Sequence, residues 1–484
     1  MDPGEPSAQG AHRGLSQSDS IGGHSTTSHD SVSAVGPLPL GSLKLHQGGD
    51  DDSMDGPPPL EADPSHDAPT IFPHSMGGGD VVLVLDLPEV FTIGYDCVSF
   101  TAKHFGGLRD VPPGAHFIWV TYPNAGSTRC GAWIVSTGQD QVHVLQWDKF
   151  NEVLGEPTRS EARIQAGNVS SIHSKLVPYS DPTAVNGVPQ GHIHGPTTAG
   201  NERIWSQLSG CVSERVLNRI TGQHHGDWFI HTGDRVKGST LMAAEAELDK
   251  RMTNPFLHDR DLYFTFSQLS KTYSTSATGA ERTLEATDST TYILSLLDDP
   301  TTGLAEDDVV GEFQFAYIVG THLGNDACMQ QWWHMLLKVI LRAYTLPTSR
   351  PSLAASLLRT IAAQLSHNLH YLESSVLDYS YSQARDLRLA LTVYKRRLDD
   401  LTDDPTRVSL AFAQIEAVVA GAPLDWDLHE ENYVRKGMVM TEDGEEVEVE
   451  MTELAAEDER GEWAPEVVEL DDTGKEKGLV SWTD

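Results

Sequence analysis

Apolar and polar residues along this chain change their pattern several times. Residues 1–79 show no period: Gly, Ser, Pro, His and Asp dominate and aromatics are almost absent. Such a segment cannot bury a core, and disorder is expected for it. The pattern changes abruptly at Asp80, where D-V-V-L-V-L-D-L-P reads as a strand ended by Pro88. Further strands are predicted at Val98–Ala102, His116–Tyr122, Ala132–Ser136 and Val142–Trp147. Turn signals at Pro112-Pro113-Gly114, Pro123-Asn124 and Thr137-Gly138 separate them. Short strands at this spacing predict a β-sandwich-like domain over residues 80–150.

From Ser160 the period lengthens. Ser160–Leu176 and Asn201–Ile220 are predicted helices, with a Pro/Gly/His loop between them, and residues 151–279 as a whole read as helices joined by long linkers and insertions. Residues 280–423 read as an all-α domain. Val309–Leu323 is apolar on nearly all sides, as a central buried helix is, and Gly324-Asn325 ends it. The next helix carries Trp332, Trp333, Leu336, Leu337, Val339, Ile340, Ala343 and Tyr344 on one stripe and stops at Pro347. Pro351 opens a third, which runs to about Leu372. A fourth places Leu387, Leu391, Tyr394, Leu398 and Leu401 on one face. In the fifth, Asp404 is the cap, Pro405 the first position, and Val408, Phe412, Ile415 and Val419 face inward. Short connections predict an antiparallel bundle. The expected fold is therefore α+β and multidomain: a disordered head, a β-sandwich-like domain, an all-α helical domain and an acidic tail over residues 424–484.

That tail is odd in composition. From Thr441 to Asp472 acidic residues crowd around a single base, Arg460. This ordinarily means a solvated, disordered end. Yet Val447, Val449 and Met451 alternate with glutamates, and W-A-P-E-V-V-E-L (Trp463–Leu470) is apolar and β-branched. A tail that adds a strand to a partner's sheet has use for such a segment.

The net charge is −36, from 34 basic and 70 acidic residues, so direct binding to a phosphate backbone is not expected. Cys97, Cys130, Cys211 and Cys328 are scattered and form no C-x-x-C pair, which reads as reduced thiols in cytoplasm or nucleus. No apolar run approaches the roughly 20 residues that span a membrane. No phosphate-binding loop, dinucleotide fingerprint or hydrolase motif is present. His192, His194, His224, His225 and His231 lack accompanying cysteines and read as loop polarity rather than zinc ligands. Asp51–Gly56 lacks the final glutamate of a calcium loop, and Asp259 with Asp261 reads as surface. Trp332 and Trp333 read as core. Arg385, Arg388, Lys395, Arg396 and Arg397 read as a solvated helix face, with a sharper alternative in which this face meets acidic residues of the tail or of a partner. A non-catalytic binding protein with no cofactor or metal is expected.

Several motifs carry a family likeness. I-G-Y-D (Ile93–Asp96), F-G-G-L-R-D-V-P-P-G-A-H-F (Phe105–Phe117) and V-H-V-L-Q-W (Val142–Trp147) lie in the β domain. V-G-E-F-Q-F-A-Y (Val310–Tyr317), L-G-N (Leu323–Asn325) and W-H-M-L-L (Trp333–Leu337) lie in the helical domain, and A-P-E-V-V-E-L lies in the tail. In order and spacing the chain resembles the a1-cistron splicing factor family over roughly Gly79–Leu470. The resemblance implies a non-enzymatic assembly chaperone of the U5 small nuclear ribonucleoprotein (snRNP), found in cytoplasm and nucleus. Its implied partner is the large scaffold protein of the spliceosome, held through RNase H-like and JAB/MPN-like domains. Binding would exclude the large RNA helicase and delay RNA engagement until release linked to phosphorylation, for which Ser and Thr within Thr272–Thr291 are candidates. The resemblance makes Trp463–Leu470 the docking strand, with Trp463, Pro465, Val467, Val468 and Leu470 as contacts; Glu466 departs from the apolar residue expected in such a strand and faces solvent if Val467 faces inward. Arg385, Arg388 and Arg396 are further candidate partner contacts. The alternative is a general acidic scaffold for basic clients.

Overall fold

The run V-V-L-V after Asp80 is apolar at every position because the strand it forms is buried on both faces. In the computed structural model this strand, β1 (Asp80–Leu85), sits inside a five-stranded sheet of order β8-β7-β1-β4-β9. Its neighbours are β4 (Gly107–Val111), β7 (Val142–Asp148), β8 (Val153–Gly155) and β9 (Val177–Pro178). Val82 and Val84 face the sandwich interior, while Val81 and Leu83 pack against Val169 of helix α1 (Arg159–Ile172) and against Leu176. The structure describes residues 78–123, 128–181, 198–223, 226–238, 261–268, 270–274, 278–372, 375–377, 381–401, 407–429, 436–440, 444, 446–450 and 467–468. The expected disorder of the head falls almost wholly outside these residues.

The second sheet has the order β10-β6-β5-β2-β3. It contains β2 (Val90–Tyr95), β3 (Val98–Lys103), β5 (Gly114–Thr121), β6 (Cys130–Ser136) and β10 (Phe229–His231). Ile118, Val120, Ala132 and Ile134 point into the sandwich core. Phe117, Trp119 and Trp133 point the other way and join the helical core. β5 and β6 are thus buried on both faces, which is why H-F-I-W-V and A-W-I-V show no alternation. The sandwich is larger than the predicted 80–150, since β8, β9 and β10 come from the stretch read as helices and linkers. These strands are only two or three residues long, too short to carry a period of their own.

The predicted helix Asn201–Ile220 is two helices, α2 (Thr198–Ser209) and α3 (Glu214–Thr221). The Ser213 side chain accepts the Val216 amide and starts the second afresh. β11 (Arg235–Val236) and β12 (Asp261–Leu262) then form a short parallel pair. Helices α4 (Gly279–Thr287) and α5 (Thr290–Asp298) lead to α6 (Glu306–Leu323), buried at nearly every position as its composition requires. Gly324 ends α6 at φ +61, a conformation that suits glycine. The tryptophan-bearing helix is α7 (Asp326–His334), which widens into a π-helical turn at Met335–Ile340. There the Leu341 amide donates to Leu336 O, five residues back. After the single turn α8 (Leu346–Ser349) come α9 (Pro351–Tyr371), α10 (Tyr381–Leu401) and α11 (Arg407–Val419), close to their predicted spans. Asp404 and Pro405 lie outside the described residues. No described helix is long and apolar enough to cross a membrane.

One hydrophobic core runs from the outer face of β5 and β6 into the helices, including Trp133, Trp205, Phe315 and Trp332. The Trp133 ring stacks on Phe315 of α6 at 5.7 Å between centroids, and on Trp205 of α2 at 6.1 Å. Trp332 stacks on Phe313 at 6.2 Å, and its indole N–H donates to Gln364 Oε1 at 2.8 Å. The tryptophans read as core are core.

Gly94 makes this packing possible. It stands opposite Trp119 in the β2–β5 register, and a Cβ built there would lie 2.0 Å from the indole. Overpacking of this kind costs about 1–3 kcal/mol. Gly94→Ala is expected to lower the unfolding free energy, read from urea titrations, by an amount in that range. Gly155→Ala, where a Cβ meets nothing within 4 Å, is expected to leave the unfolding free energy within about 0.5 kcal/mol of wild type.

Candidate protein-docking site

The polar residues of the family-like motifs come first, because chemistry there would change the functional reading. Asp96 is fully buried at the β2–β3 turn. Its Oδ1 accepts the Phe117 amide at 3.0 Å, and its Oδ2 accepts His116 Nδ1 at 2.7 Å and the Tyr179 hydroxyl at 2.5 Å. His116 Nε2 faces Pro112 O at 2.9 Å, so both ring nitrogens meet acceptors and only the imidazolium satisfies both. Burial opposes that charge, but the Asp96 carboxylate outweighs it and raises the His116 pKa. The group ties I-G-Y-D to P-P-G-A-H-F, strand to strand.

V-G-E-F-Q-F-A-Y joins the helices to one another and to the sandwich. A Cβ at Gly311 would sit 2.4 Å from Cys211 O, so the bend between α2 and α3 lies directly on α6. Gln314 Oε1 accepts the Cys211 amide at 2.9 Å, and Gln314 Nε2 donates to Gln207 O at 3.2 Å. One turn earlier Asp308, also buried, accepts the Ala305 amide and pairs with Arg215 and Arg219. Asn325 of L-G-N caps α7 through Cys328 N, and its amide donates to His231 O, Thr232 O and Asp234 O. Arg129 Nη1 donates to His322 O at 2.7 Å. Each of these groups holds two parts of the fold together.

Glu312 is the exception in energy. It is completely buried, and it accepts the Thr265 amide at 2.9 Å and the Thr265 hydroxyl at 2.5 Å. Arg219 Nη1 stands 3.7 Å away, and Asp308 adds like charge. Burial dominates and pushes its pKa up to about 7. Among the described residues no three His, Cys, Asp or Glu side chains come together to hold a metal ion. Asp261 is exposed in β12 and His231 ends β10; Asp51–Gly56, His192, His194, His224, His225 and Asp259 lie outside the described residues.

The basic residues of α10 are not a wholly solvated face. Arg385 is exposed beside Asp386 at 3.8 Å, whereas Arg388, Lys395, Arg396 and Arg397 are half-buried. Lys395 Nζ bonds Asp399 and lies 3.9 Å from Glu416 of α11, and the Arg397 guanidinium covers the Tyr344 ring at 5.2 Å from its centroid. The Arg388 charge acts on Asp427, whose pKa is lowered first by the His429 amide. Lys395 and Arg388 thus face acids of α11 and of the segment after it. A cleft of about 270 Å³ opens there, lined by Glu416, Asp425, Trp426, Asp427 and His429 among others.

The tail contributes a separate small sheet. β13 (Lys436–Met440), β14 (Glu446–Glu450) and β15 (Val467–Val468) are ordered β14-β13-β15. β14 falls on the weaker tail candidate, Val447–Met451. Val467 and Val468 of the predicted docking strand form β15, antiparallel to β13; Trp463, Pro465 and Leu470 lie outside the described residues. β13 escaped the sequence reading, although K-G-M-V-M followed by Asp443-Gly444 and E-V-E-V-E is a hairpin signal. Gly444 has φ +80, as such a turn requires.

Glu312 generates a pH prediction. Its folded pKa lies above the ordinary value of 4.5, so its protonated form stabilises the fold, and that contribution fades as pH rises from about 4.5 through about 7. Glu312→Gln removes the titration. Relative to wild type, the variant is expected to gain stability on the order of 2–3 kcal/mol between pH 5 and pH 8, read from urea midpoints. A constant difference across that range would contradict a buried, titrating carboxyl.

Residues 78–222 match the AAR2 N-terminal domain and residues 264–429 match the AAR2 C-terminal repeat region. The first match ends just after α3 and the second begins just after β12, so both follow the boundaries of the fold. The tail sheet lies beyond both. Together the matches cover more than half of the chain, and the motif residues within them hold the two halves in one core: the chain belongs to the a1-cistron (AAR2) family of splicing-related factors.

Proposed function

We propose that this protein is a non-catalytic assembly chaperone of the U5 snRNP that holds the large spliceosomal scaffold protein before the particle matures. In this reading the sandwich and helices form the body. The tail strand around Val467 and Val468 adds to a sheet edge of the scaffold's RNase H-like and JAB/MPN-like domains. Occupying that site blocks early binding of the RNA helicase and of RNA. Phosphorylation in or near Thr272–Thr291, in cytoplasm or nucleus, then promotes release by adding charge at a desolvated contact.

The single observation that supports the docking role is the strand itself. Two valines in a strongly acidic tail adopt a paired extended conformation, which is the conformation strand addition uses. The body supports it in a second way. The polar residues of the motifs described above are engaged in internal hydrogen bonds, so the motifs serve architecture and leave recognition to surfaces outside them. A general acidic chaperone needs charge alone and has no use for this sequence.

Truncation after Gly461 is expected to weaken binding to the isolated RNase H-like and JAB/MPN-like domains by about 10-fold or more, measured by calorimetry. Val467→Asp with Val468→Asp is expected to reproduce most of that loss at unchanged tail length. A shuffled tail of equal charge that binds as well as wild type would return the reading to a charge-driven scaffold, whose affinity falls steeply with salt.

A further inference from the structure

The tail strand is already paired. β15 lies antiparallel to β13, with Val467 opposite Val439 and Val468 opposite Met438. On its other side β13 pairs with all five residues of β14, from Lys436–Glu450 to Met440–Glu446. The hairpin β13–β14 is therefore the larger unit, and β15 is a two-residue addition to it.

Charge limits this addition. β14 contributes Glu446, Glu448 and Glu450, while Lys436 is the one base in β13 and β14. The tail strand brings Glu466 and Glu469 on either side of its valines. Their shared acidity adds a weak, salt-screened repulsion to longer pairing, since β13 stands between the two acidic segments. The register is nonetheless specific, because Val439 stands opposite both Val447 and Val467. A contact that is in register and only two residue pairs long is suited to hold a strand without keeping it.

We propose that the hairpin Lys436–Glu450 is a latch in cis: it holds Val467–Val468 and releases them when a partner strand pairs with the whole Trp463–Leu470 run. This rests on reading the tail as the docking element. The partner favoured by the chemistry is a sheet edge flanked by basic residues, which supplies the counter-charge that the glutamates of β14 do not. While latched, the strand is shielded from pairing with other chains. The apparent affinity is reduced by the unlatched fraction, so opening the latch strengthens docking by the same factor.

A disulfide across the register tests this in the full-length chain. Val439→Cys with Val467→Cys places thiols at directly opposed positions; Gly437→Cys with Val467→Cys is the control, two residues out of register. Both pairs follow Leu428, the last core residue among the described residues, and replace none of the core side chains named above. The in-register pair is expected to oxidise about 10-fold faster than the control. Once oxidised, it should bind the two scaffold domains at least about 10-fold more weakly, with recovery on adding dithiothreitol. Val439→Pro, which cannot complete the β13 ladder, should instead bind about 3- to 10-fold more tightly than wild type. Equal oxidation rates would overturn the cis pairing. Oxidised and reduced protein binding alike would overturn the latch, since the partner would then be adding to a tail still held by the hairpin. If truncation after Gly461 leaves the affinity of the reduced protein unchanged, the docking reading fails instead, even where the in-register disulfide forms quickly.

Discussion

The outer face of the β5–β6 sheet is the surface on which the rest of this structure depends. Phe117 and Trp133 lie on it at 4.9 Å between ring centroids, and Phe315 of α6 and Trp205 of α2 cover Trp133 from the helical side. Each large side chain buried there contributes about 2–3 kcal/mol. Separated from the helices, this face would present Phe117, Trp119 and Trp133 to water. Separated from the sheet, α6 would lose the neighbour of its aromatic side. The halves matched as N-terminal domain and C-terminal repeat region are thus two parts of one core.

Close packing of rings on backbone explains the glycines of the motifs. Gly94 lies beneath Trp119 and Gly311 against Cys211 O; Gly131, outside the motifs, lies beside Phe117 in the same way. Buried polar groups supply the direction that apolar contact lacks. Asn325 can satisfy three carbonyls and one amide only where α7 begins beside the turn after β10. Glu312 is held at the price of an elevated pKa, which Thr265 and Arg219 offset in part.

For function, this divides the molecule by stiffness. The body has its motif side chains engaged internally, and Lys395 and Arg388 of α10 face the chain's own Glu416 and Asp427. Recognition by extended backbone then belongs to the tail, whose small sheet joins its third strand by two residue pairs only. Few pairs mean a low opening energy, which is what an element that changes partners needs.

Much of the fold was legible in the sequence where an element has a period of its own. β1, β5, β6, α6, α9 and α11 each announce themselves by an apolar run or a helical stripe, and β7 by apolar residues interspersed with polar ones. The likeness of the motifs to one family was legible as well, because packing around rings and glycines fixes residue identity. What escaped was decided by contacts distant in sequence. β8, β9 and β10 are strands because a sheet edge is there to pair with, and the α2–α3 break exists because Gly311 admits Cys211. The latch is of the same kind. Sequence alone placed strand formers at Val467 and Val468, since β-branched residues favour extended backbone wherever they are. Only the tertiary structure could choose β13 as their neighbour, because register is a relation between two segments that neither one contains.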